Sequence, residues 1–282
     1  MIEEVLFGKV AMPGEAIRLA IAFLGVAAAT YYDIFNRRNV PNNLLYGFLA
    51  LAFIVNLALY QPDLFPFSIG LAVFFSAIGY IFYRYGQLGG ADVFVIAAVM
   101  LLLPVHPSFV GLTFNLPFIF SVIIFSGISF AVYIMAYFGL KLREVGAQPK
   151  TMYALMLIPY LIFAYVYVNS ILFSPVYFVF VSILLLATVF FLMYREDINR
   201  LLSERMSPSE LEEEDVLAIE MMDQKLVRQY GLKRLVTKKE IERMVGLKIP
   251  EVWVYSKLPP FLPFFLLGMV LALLFAGSLL LF

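Results

Sequence analysis

The chain has 282 residues, of which 63% are hydrophobic and 14% are charged, and its mean hydropathy is +0.92. Soluble domains carry about 25% charged residues, so this composition excludes an ordinary soluble protein and indicates a polytopic membrane protein. The formal net charge is zero, cysteine is absent, and His106 is the single histidine. Disulfides, thiolate metal sites and multi-histidine centres are therefore excluded, and we predict no metal and no other cofactor.

Apolar runs long enough to cross a membrane follow one another along the chain. The first, residues 16–32, carries Arg18 near one end, where we expect its side chain to snorkel to the interface. The fourth, residue 92 to about 105, spans only about 21 Å against a hydrocarbon core of about 30 Å. We predict an all-α membrane bundle of about eight helices, with a range of six to eight. The other runs are 43–60, 67–84, 117–139, 151–169, 176–194 and 261–281.

Basic residues indicate how the spans are oriented. With eight spans, the loops 34–42, 84–91, 140–150 and 195–258 share one side and contain 2, 1, 3 and 12 basic residues, which is 18 of the 20 in the chain. The positive-inside rule assigns these loops to the cytoplasm. We therefore predict a multi-pass cell-membrane protein with both termini outside.

Residues 195–258 form the only sizeable polar segment. Ser207–Glu210 and Thr237–Glu240 both have capping-box spacing, which predicts helix starts. The acidic run 210–215 has two readings, a solvated first turn favoured by the helix dipole or a guide for a basic substrate segment. We predict a membrane bundle at 1–194, a cytoplasmic helical insert at 195–258 and a C-terminal transmembrane helix at 259–282.

Two aspartates stand at the ends of predicted spans on the cytoplasmic side. Asp33 closes the first span, and Asp92 opens the fourth directly after Gly89, Gly90 and Ala91. A lone aspartate at a helix end is most often interfacial, but glycines let another backbone approach closely, which favours a functional group at Asp92.

Two neighbouring carboxylates share one proton, so one can activate water while the other polarises a peptide carbonyl. The pair therefore predicts a membrane aspartyl protease with Asp33 and Asp92 as its catalytic residues. Asp92 begins a helix and Asp33 ends one, so the helix dipoles predict Asp92 as the base and Asp33 as the protonated acid.

Three segments resemble the type IV prepilin peptidase and preflagellin peptidase family, which are membrane aspartyl proteases of the GxGD class. The first follows Asp33 and contains Arg37, Arg38 and Pro41-Asn42; the second is Gly89-Gly90-Ala91-Asp92; and the third is the proline-rich approach to the last helix in 250–254 and 257–264. The chain departs from the family in having Ala91 where a glycine is usual. It also has about eight spans where archaeal members have about six.

The resemblance implies that the substrates are class III signal peptides of precursor pilins or archaellins, cleaved at the cytoplasmic face of the lipid bilayer. The cysteine-bound zinc domain of bacterial members is excluded, and we predict peptidase activity without methylation. We predict no nucleic-acid partner, and the oligomeric state is open. Arg37 and Arg38 are read as topology determinants. The predicted substrate-binding residues are Gly89, Gly90, Ala91, Pro259, Pro260 and Pro263; the three prolines are equally consistent with simple helix initiation.

Two other functions compete with this reading. A proton-coupled transporter also places acids in membrane helices, although its ionisable groups are expected near the bilayer midplane. A noncatalytic pilin assembly factor would hold pilin helices against its aromatic spans. Replacing either aspartate with asparagine separates the three, because only a protease loses hydrolysis while it keeps its fold and its substrate binding.

Overall fold

The computed structural model describes residues 5, 11–36, 39–110, 116–249, 251–256 and 259–279. The predicted all-α polytopic fold is confirmed, and each of the eight predicted apolar runs is a helix. The α-helices are α1 Glu15–Phe35, α2 Asn42–Ala58, α3 Leu64–Arg84, α4 Gly90–Leu102, α5 Phe118–Glu144, α6 Leu157–Val168, α7 Pro175–Met193, α8 Arg195–Leu202, α9 Gln224–Tyr230, α10 Lys238–Gly246 and α11 Leu262–Leu279. Short 3₁₀ helices cover Ser108–Val110, Thr151–Met156, Pro208–Glu210 and Ile219–Met221, and the strands are β1 Glu204–Met206 and β2 Val252–Val254.

Five helical segments of the described chain are long and apolar enough to cross a membrane. They comprise α1, α3, α5, α7, and α6 together with the 3₁₀ turn before it. The other three apolar helices, α2, α4 and α11, are shorter. This is a multi-pass membrane protein in which helices long enough to cross a bilayer accompany shorter ones.

The chain divides into two compact units. The first contains residues 1–83, 88–131 and 260–282, and the second contains residues 84–87 and 132–259. The division predicted from the sequence, with boundaries at 194/195 and 258/259, stays a prediction.

Helix α4 lies at the centre of the first unit, where it packs against α1 and α2. Its thirteen residues give a length of about 20 Å, too short to cross a bilayer alone. Val95 and every residue from Ala97 to Leu102 are buried. Since protein and not lipid surrounds its second half, the helix can end below the membrane surface provided that other groups satisfy its last carbonyls.

Glycines let helices of the first unit come close together. A side chain at Gly79 of α3 would meet a methyl of Val93 on α4 at 3.1 Å, and one at Gly268 of α11 would meet the backbone carbonyl oxygen of Val122 on α5 at 2.7 Å. Small residues at such crossings are the usual means by which membrane helices approach each other. At Gly79, this brings Val93 in the first turn of α4 close to α3.

The side chain of Arg18 does not snorkel to the interface, so that prediction is wrong. Arg18 is 1% exposed, and its guanidinium group donates hydrogen bonds inside the first unit. The acceptors are the carbonyl oxygens of Pro13, Leu59, Leu101 and Leu102 and the side-chain oxygen of Asn56. The sequence shows an arginine near the end of an apolar run, but it does not show that two other helices end beside it.

The second unit contains the polar segment predicted as a helical insert. Its helices α8, α9 and α10 accompany a two-stranded antiparallel sheet of β1 and β2, in which Arg205 faces Trp253 and places its guanidinium carbon 5.0 Å from the centre of that ring. Of the two predicted helix starts, Thr237–Glu240 begins α10, whereas Ser207–Glu210 begins only a short 3₁₀ turn. The sheet was not predicted, because each strand has only three residues. The buried core consists of Leu211, Leu217, Leu232, Val236, Met244, Ile249, Val252 and Val254.

Candidate active site

Asp33 lies in the last turn of α1 on its buried face, and its side chain is 8% exposed. Its Oδ2 accepts a hydrogen bond of 3.1 Å from the backbone N–H of Leu262, which lies 229 residues later and begins α11. The first N–H groups of a helix have no partner within that helix. The carboxylate of α1 therefore caps α11.

Asp92 lies in the first turn of α4 and is 9% exposed. Its Oδ2 accepts a hydrogen bond of 3.0 Å from the backbone N–H of Gly89, the residue that precedes the helix. This bond is half of a capping box, in which the third helical residue reaches back to the N-cap backbone. It fixes the Asp92 side chain against the Gly89-Gly90 segment.

The fold brings these two predicted residues together at one end of an antiparallel helix pair. Helices α1 and α4 pack against each other, with Asp33 near the end of α1 and Asp92 at the start of α4. The two carboxyl groups are near enough to interact electrostatically. Such neighbours cannot both ionise comfortably, so the pair favours a state that holds one proton.

The predicted division of roles within the pair stays a prediction. It depended on Asp33 facing only the C-terminal end of its own helix. In the structure Asp33 also accepts the backbone N–H of Leu262 at the N-terminus of α11, where the partial charge of the helix is positive. Each carboxylate therefore accepts one backbone N–H at a helix N-terminus.

The predicted substrate-binding residues beside Asp92 are small and at least partly exposed. Gly89 is exposed, and Gly90 and Ala91 are half-buried. Gly89 has an extended backbone with φ −72° and ψ 149°, so a left-handed conformation is not the reason for glycine here. A side chain at this position would instead meet Oδ2 of Asp92 at 3.1 Å.

The three predicted prolines flank the start of α11. Pro263 is in the first turn of α11, next to the Leu262 N–H that donates to Asp33, and Pro260 comes two residues before that N–H. Pro259 is the last residue of the second unit. Within the first unit, the proline-rich segment therefore contacts Asp33 through the backbone N–H of Leu262 and not through a proline.

Sequence reasoning missed two residues next to Asp33. Leu262 contributes through its backbone, so its side-chain type gave no signal. Thr30 precedes Asp33 by one helical turn on the same face, is 7% exposed, and its Oγ1 has no hydrogen-bond partner among the described residues. Its i, i+3 spacing from Asp33 is the signal that could have found it.

Other residues named in the sequence analysis lie elsewhere. Arg37, Arg38, Pro250, Lys257 and Leu258 fall outside the described residues. Pro41 immediately precedes α2, which begins at Asn42.

The single histidine, His106, is buried. Its Nδ1 bonds the Leu116 carbonyl oxygen at 2.8 Å and its Nε2 bonds Ser121 Oγ at 2.9 Å. These partners suit a neutral imidazole, which has one donor and one acceptor. Within the described part of the chain, no group of three or more histidine, aspartate or glutamate side chains is arranged to hold a metal ion.

Comparison with known proteins identifies the region that contains both aspartates. Residues 20–140 match the type IV leader peptidase family. The chain is also similar to prepilin peptidase EppA of Methanothermobacter thermautotrophicus, with 33% identity over 137 residues. That alignment covers 44% of this chain and 35% of the relative, so the chain spans about a third of the length of the protein that it matches. No solved structure gave a significant match.

Proposed function

We propose that this chain, whose residues 20–140 match the type IV leader peptidase family, is a membrane aspartyl endopeptidase. In this proposal it cleaves class III signal peptides of prepilin-like or preflagellin precursors at the cytoplasmic face of the membrane. The observation that carries the proposal is that α1 and α4 pack against each other with two buried carboxyl groups, Asp33 and Asp92, at the same end of the pair.

The reaction needs one ionised and one protonated member of the pair. The ionised carboxylate removes a proton from water as the oxygen attacks the peptide carbonyl carbon, and the protonated carboxyl donates a hydrogen bond to the carbonyl oxygen. When the tetrahedral intermediate collapses, a proton passes to the leaving amine and the carbon–nitrogen bond breaks. Water is thereby divided between the new carboxyl and the new amino terminus, and the pair again holds one proton.

Burial and positioning support this chemistry. Carboxylates shielded from water interact more strongly with each other and with a bound peptide than exposed ones do. Each also accepts a bond from a rigid helix start, Leu262 N–H for Asp33 and Gly89 N–H for Asp92. Fixed geometry of this kind is what lets a pair of side chains meet a reacting group at the correct distance.

The small segment Gly89-Gly90-Ala91 is the proposed place where an extended substrate passes Asp92. A helical peptide hides its carbonyls in internal hydrogen bonds, so the scissile bond must be presented unwound. Small residues allow the backbone of such a peptide to approach, and Pro260 and Pro263 near the start of α11 are proposed as further contacts. Pro259 belongs to the proposed set through the family resemblance alone.

The test is cleavage of a precursor with a short basic segment ahead of a hydrophobic helix, by the purified full chain in lipid. Mass spectrometry of the product locates the new amino terminus, which we expect between the basic segment and the helix and without an added methyl group. Asp33→Asn and Asp92→Asn should each abolish cleavage while the precursor still binds. Asp63→Asn, the same change in the loop between α2 and α3, is the matched control and should cleave normally.

The outcomes separate the competing functions. Cleavage retained by either Asp33→Asn or Asp92→Asn would refute the catalytic pair. Binding of precursor without cleavage by the unaltered chain would favour an assembly factor, and proton-linked flux across lipid vesicles without cleavage would favour a transporter.

A further inference from the structure

The side chain of Arg18 lies at the opposite end of α1 from Asp33, on the same buried face. The residues of α1 that are buried are Arg18, Ala22, Val26, Ala29, Thr30 and Asp33. This spacing of about four residues follows one stripe of a helix. A single stripe of α1 therefore carries a cation at one end and the candidate catalytic carboxylate at the other.

The guanidinium group of Arg18 donates hydrogen bonds to backbone carbonyl groups at the C-terminal end of α4, the end away from Asp92. Its Nη1 is 3.3 Å from the carbonyl oxygens of both Leu101 and Leu102. These carbonyls are among the last of the helix and lack partners within it. Leu102 is fully buried and Leu101 is 4% exposed, so water does not replace the arginine.

Arg18 also binds the end of α2. Its Nη2 donates to the Leu59 carbonyl oxygen at 2.9 Å and its Nη1 to Asn56 Oδ1 at 3.0 Å. No ion pair joins Arg18 to a carboxylate in the described part of the chain. Two helix C-termini, each equivalent to about half a negative charge, supply the compensation instead.

These contacts fix the position of α1 along the length of α4. Asp33 is fifteen residues from Arg18 along α1, and Asp92 is nine residues from Leu101 along α4. The six-residue difference corresponds to about 9 Å, part of which the long side chain of Arg18 spans when it reaches the carbonyl oxygens of Leu101 and Leu102. A slip of one residue moves Asp33 by about 1.5 Å relative to Asp92.

From this geometry we infer that Arg18 is a positioning residue for the candidate active site: by fastening the ends of α2 and α4 to the start of α1, it sets the register that opposes Asp33 and Asp92. The inference deepens the proposed peptidase function and rests on it for its catalytic consequence. Arginine suits the task because its rigid fork offers five donors, whereas the three donors of lysine sit on one nitrogen and cannot reach acceptors on three segments.

The direct test measures register without activity. The chain contains no cysteine, so Asp33→Cys with Asp92→Cys provides a unique thiol pair whose yield with a short thiol crosslinker reports their separation. We expect Arg18→Lys in this background to lower the yield at least threefold. Asn56→Ala, which removes one acceptor and keeps the guanidinium group, should lower it by a smaller factor. It provides the readout if Arg18→Lys does not fold.

The catalytic test uses the aspartates intact. Because a displacement of about 1 Å can cost about 100-fold in rate, we expect Arg18→Lys to lower kcat at least tenfold while KM stays within twofold. Ser121→Ala is the matched control, since it loses a buried hydrogen bond to His106 in the same unit without touching Arg18. It should retain both kcat and crosslinking yield.

Crosslinking yield unchanged in folded Arg18→Lys or in Asn56→Ala overturns the positioning role, as does an equal loss in Ser121→Ala. If the unaltered chain fails to cleave any precursor, the proposed function fails, but the thiol measurement still decides whether Arg18 sets the register.

Discussion

Gly89→Ala is the sharpest test of how the candidate site is built, because it adds one methyl group beside one catalytic candidate. The backbone of Gly89, with φ −72° and ψ 149°, is open to alanine without strain. The added Cβ would lie 3.1 Å from Oδ2 of Asp92 and 3.7 Å from Cγ of Asp92, so the side chain of Asp92 is what crowds the new methyl group. The methyl group therefore acts on the carboxylate and not on the fold.

The expected magnitudes follow from that contact. Replacing glycine where alanine is tolerated stabilises a protein by about 0.4–1 kcal/mol through the unfolded chain, so the thermal midpoint should not fall. The carboxylate must move by a few tenths of an ångström, which weakens its 3.0 Å bond from the Gly89 N–H. Since about 1 Å of displacement can cost about 100-fold, we expect kcat to fall about 10-fold.

The assay combines precursor cleavage with thermal unfolding of the same preparation. Gly47→Ala is the control, since an added carbon at Gly47 in α2 has nothing within 4 Å and should leave cleavage unchanged. If Gly89→Ala cleaves within twofold of the unaltered chain, the glycine is not there to position Asp92. If it loses activity together with its thermal midpoint, the effect is on folding and the reasoning is equally refuted.

Three further predictions use other contacts. Leu262→Ala and Leu262→Pro both remove a buried side chain, but only proline removes the N–H that donates to Asp33. Because proline is acceptable at a first helical position, we expect the two variants to have similar thermal midpoints. We expect Leu262→Pro to cleave about 10-fold more slowly than Leu262→Ala, which is the loss typical of a hydrogen bond to a charged group. Gly268→Ala places a carbon 2.7 Å from a carbonyl oxygen of α5 and should lower the thermal midpoint, whereas an unchanged midpoint would show that the crossing can open. Burial, followed by the hydrogen bond to Glu220, raises the pKa of Tyr255 above its ordinary 10.0. The contribution of Tyr255 to the free energy of unfolding is therefore complete below pH 10 and is lost as the pH rises further. Tyr255→Phe should flatten this alkaline decline, and identical curves of unfolding free energy against pH for the two proteins would contradict the prediction.

The alternation of apolar runs and polar loops was sufficient to predict the eight helices. Residues that face lipid must be apolar and must satisfy their own backbone groups, so composition and secondary structure are tied together in a membrane. The two aspartates could also be selected, because acids at the ends of apolar runs are few and only this pair falls on one predicted side. Sidedness itself remains a prediction from the basic loops.

Several features depended on distant parts of the chain. The sequence predicted Arg18 to be an interfacial cation, whereas in the structure it contacts the ends of α2 and α4. The sequence assigned each aspartate a role from its own helix alone, but in the structure the start of α11 also contacts Asp33. The small sheet of β1 and β2 was missed because three-residue strands carry no recognisable period.

By itself, the sequence determined that the chain enters a membrane, where its helices run and which two acids could act together. Each of these follows from local chemistry: hydropathy over about 20 residues, and carboxylates next to glycine or at the end of an apolar run. Only the tertiary structure decided what surrounds those acids. The N–H of Leu262 reaches Asp33 across 229 residues, and Arg18 meets the end of α4 across more than eighty. Contacts of that range depend on how helices pack, and no local pattern encodes them.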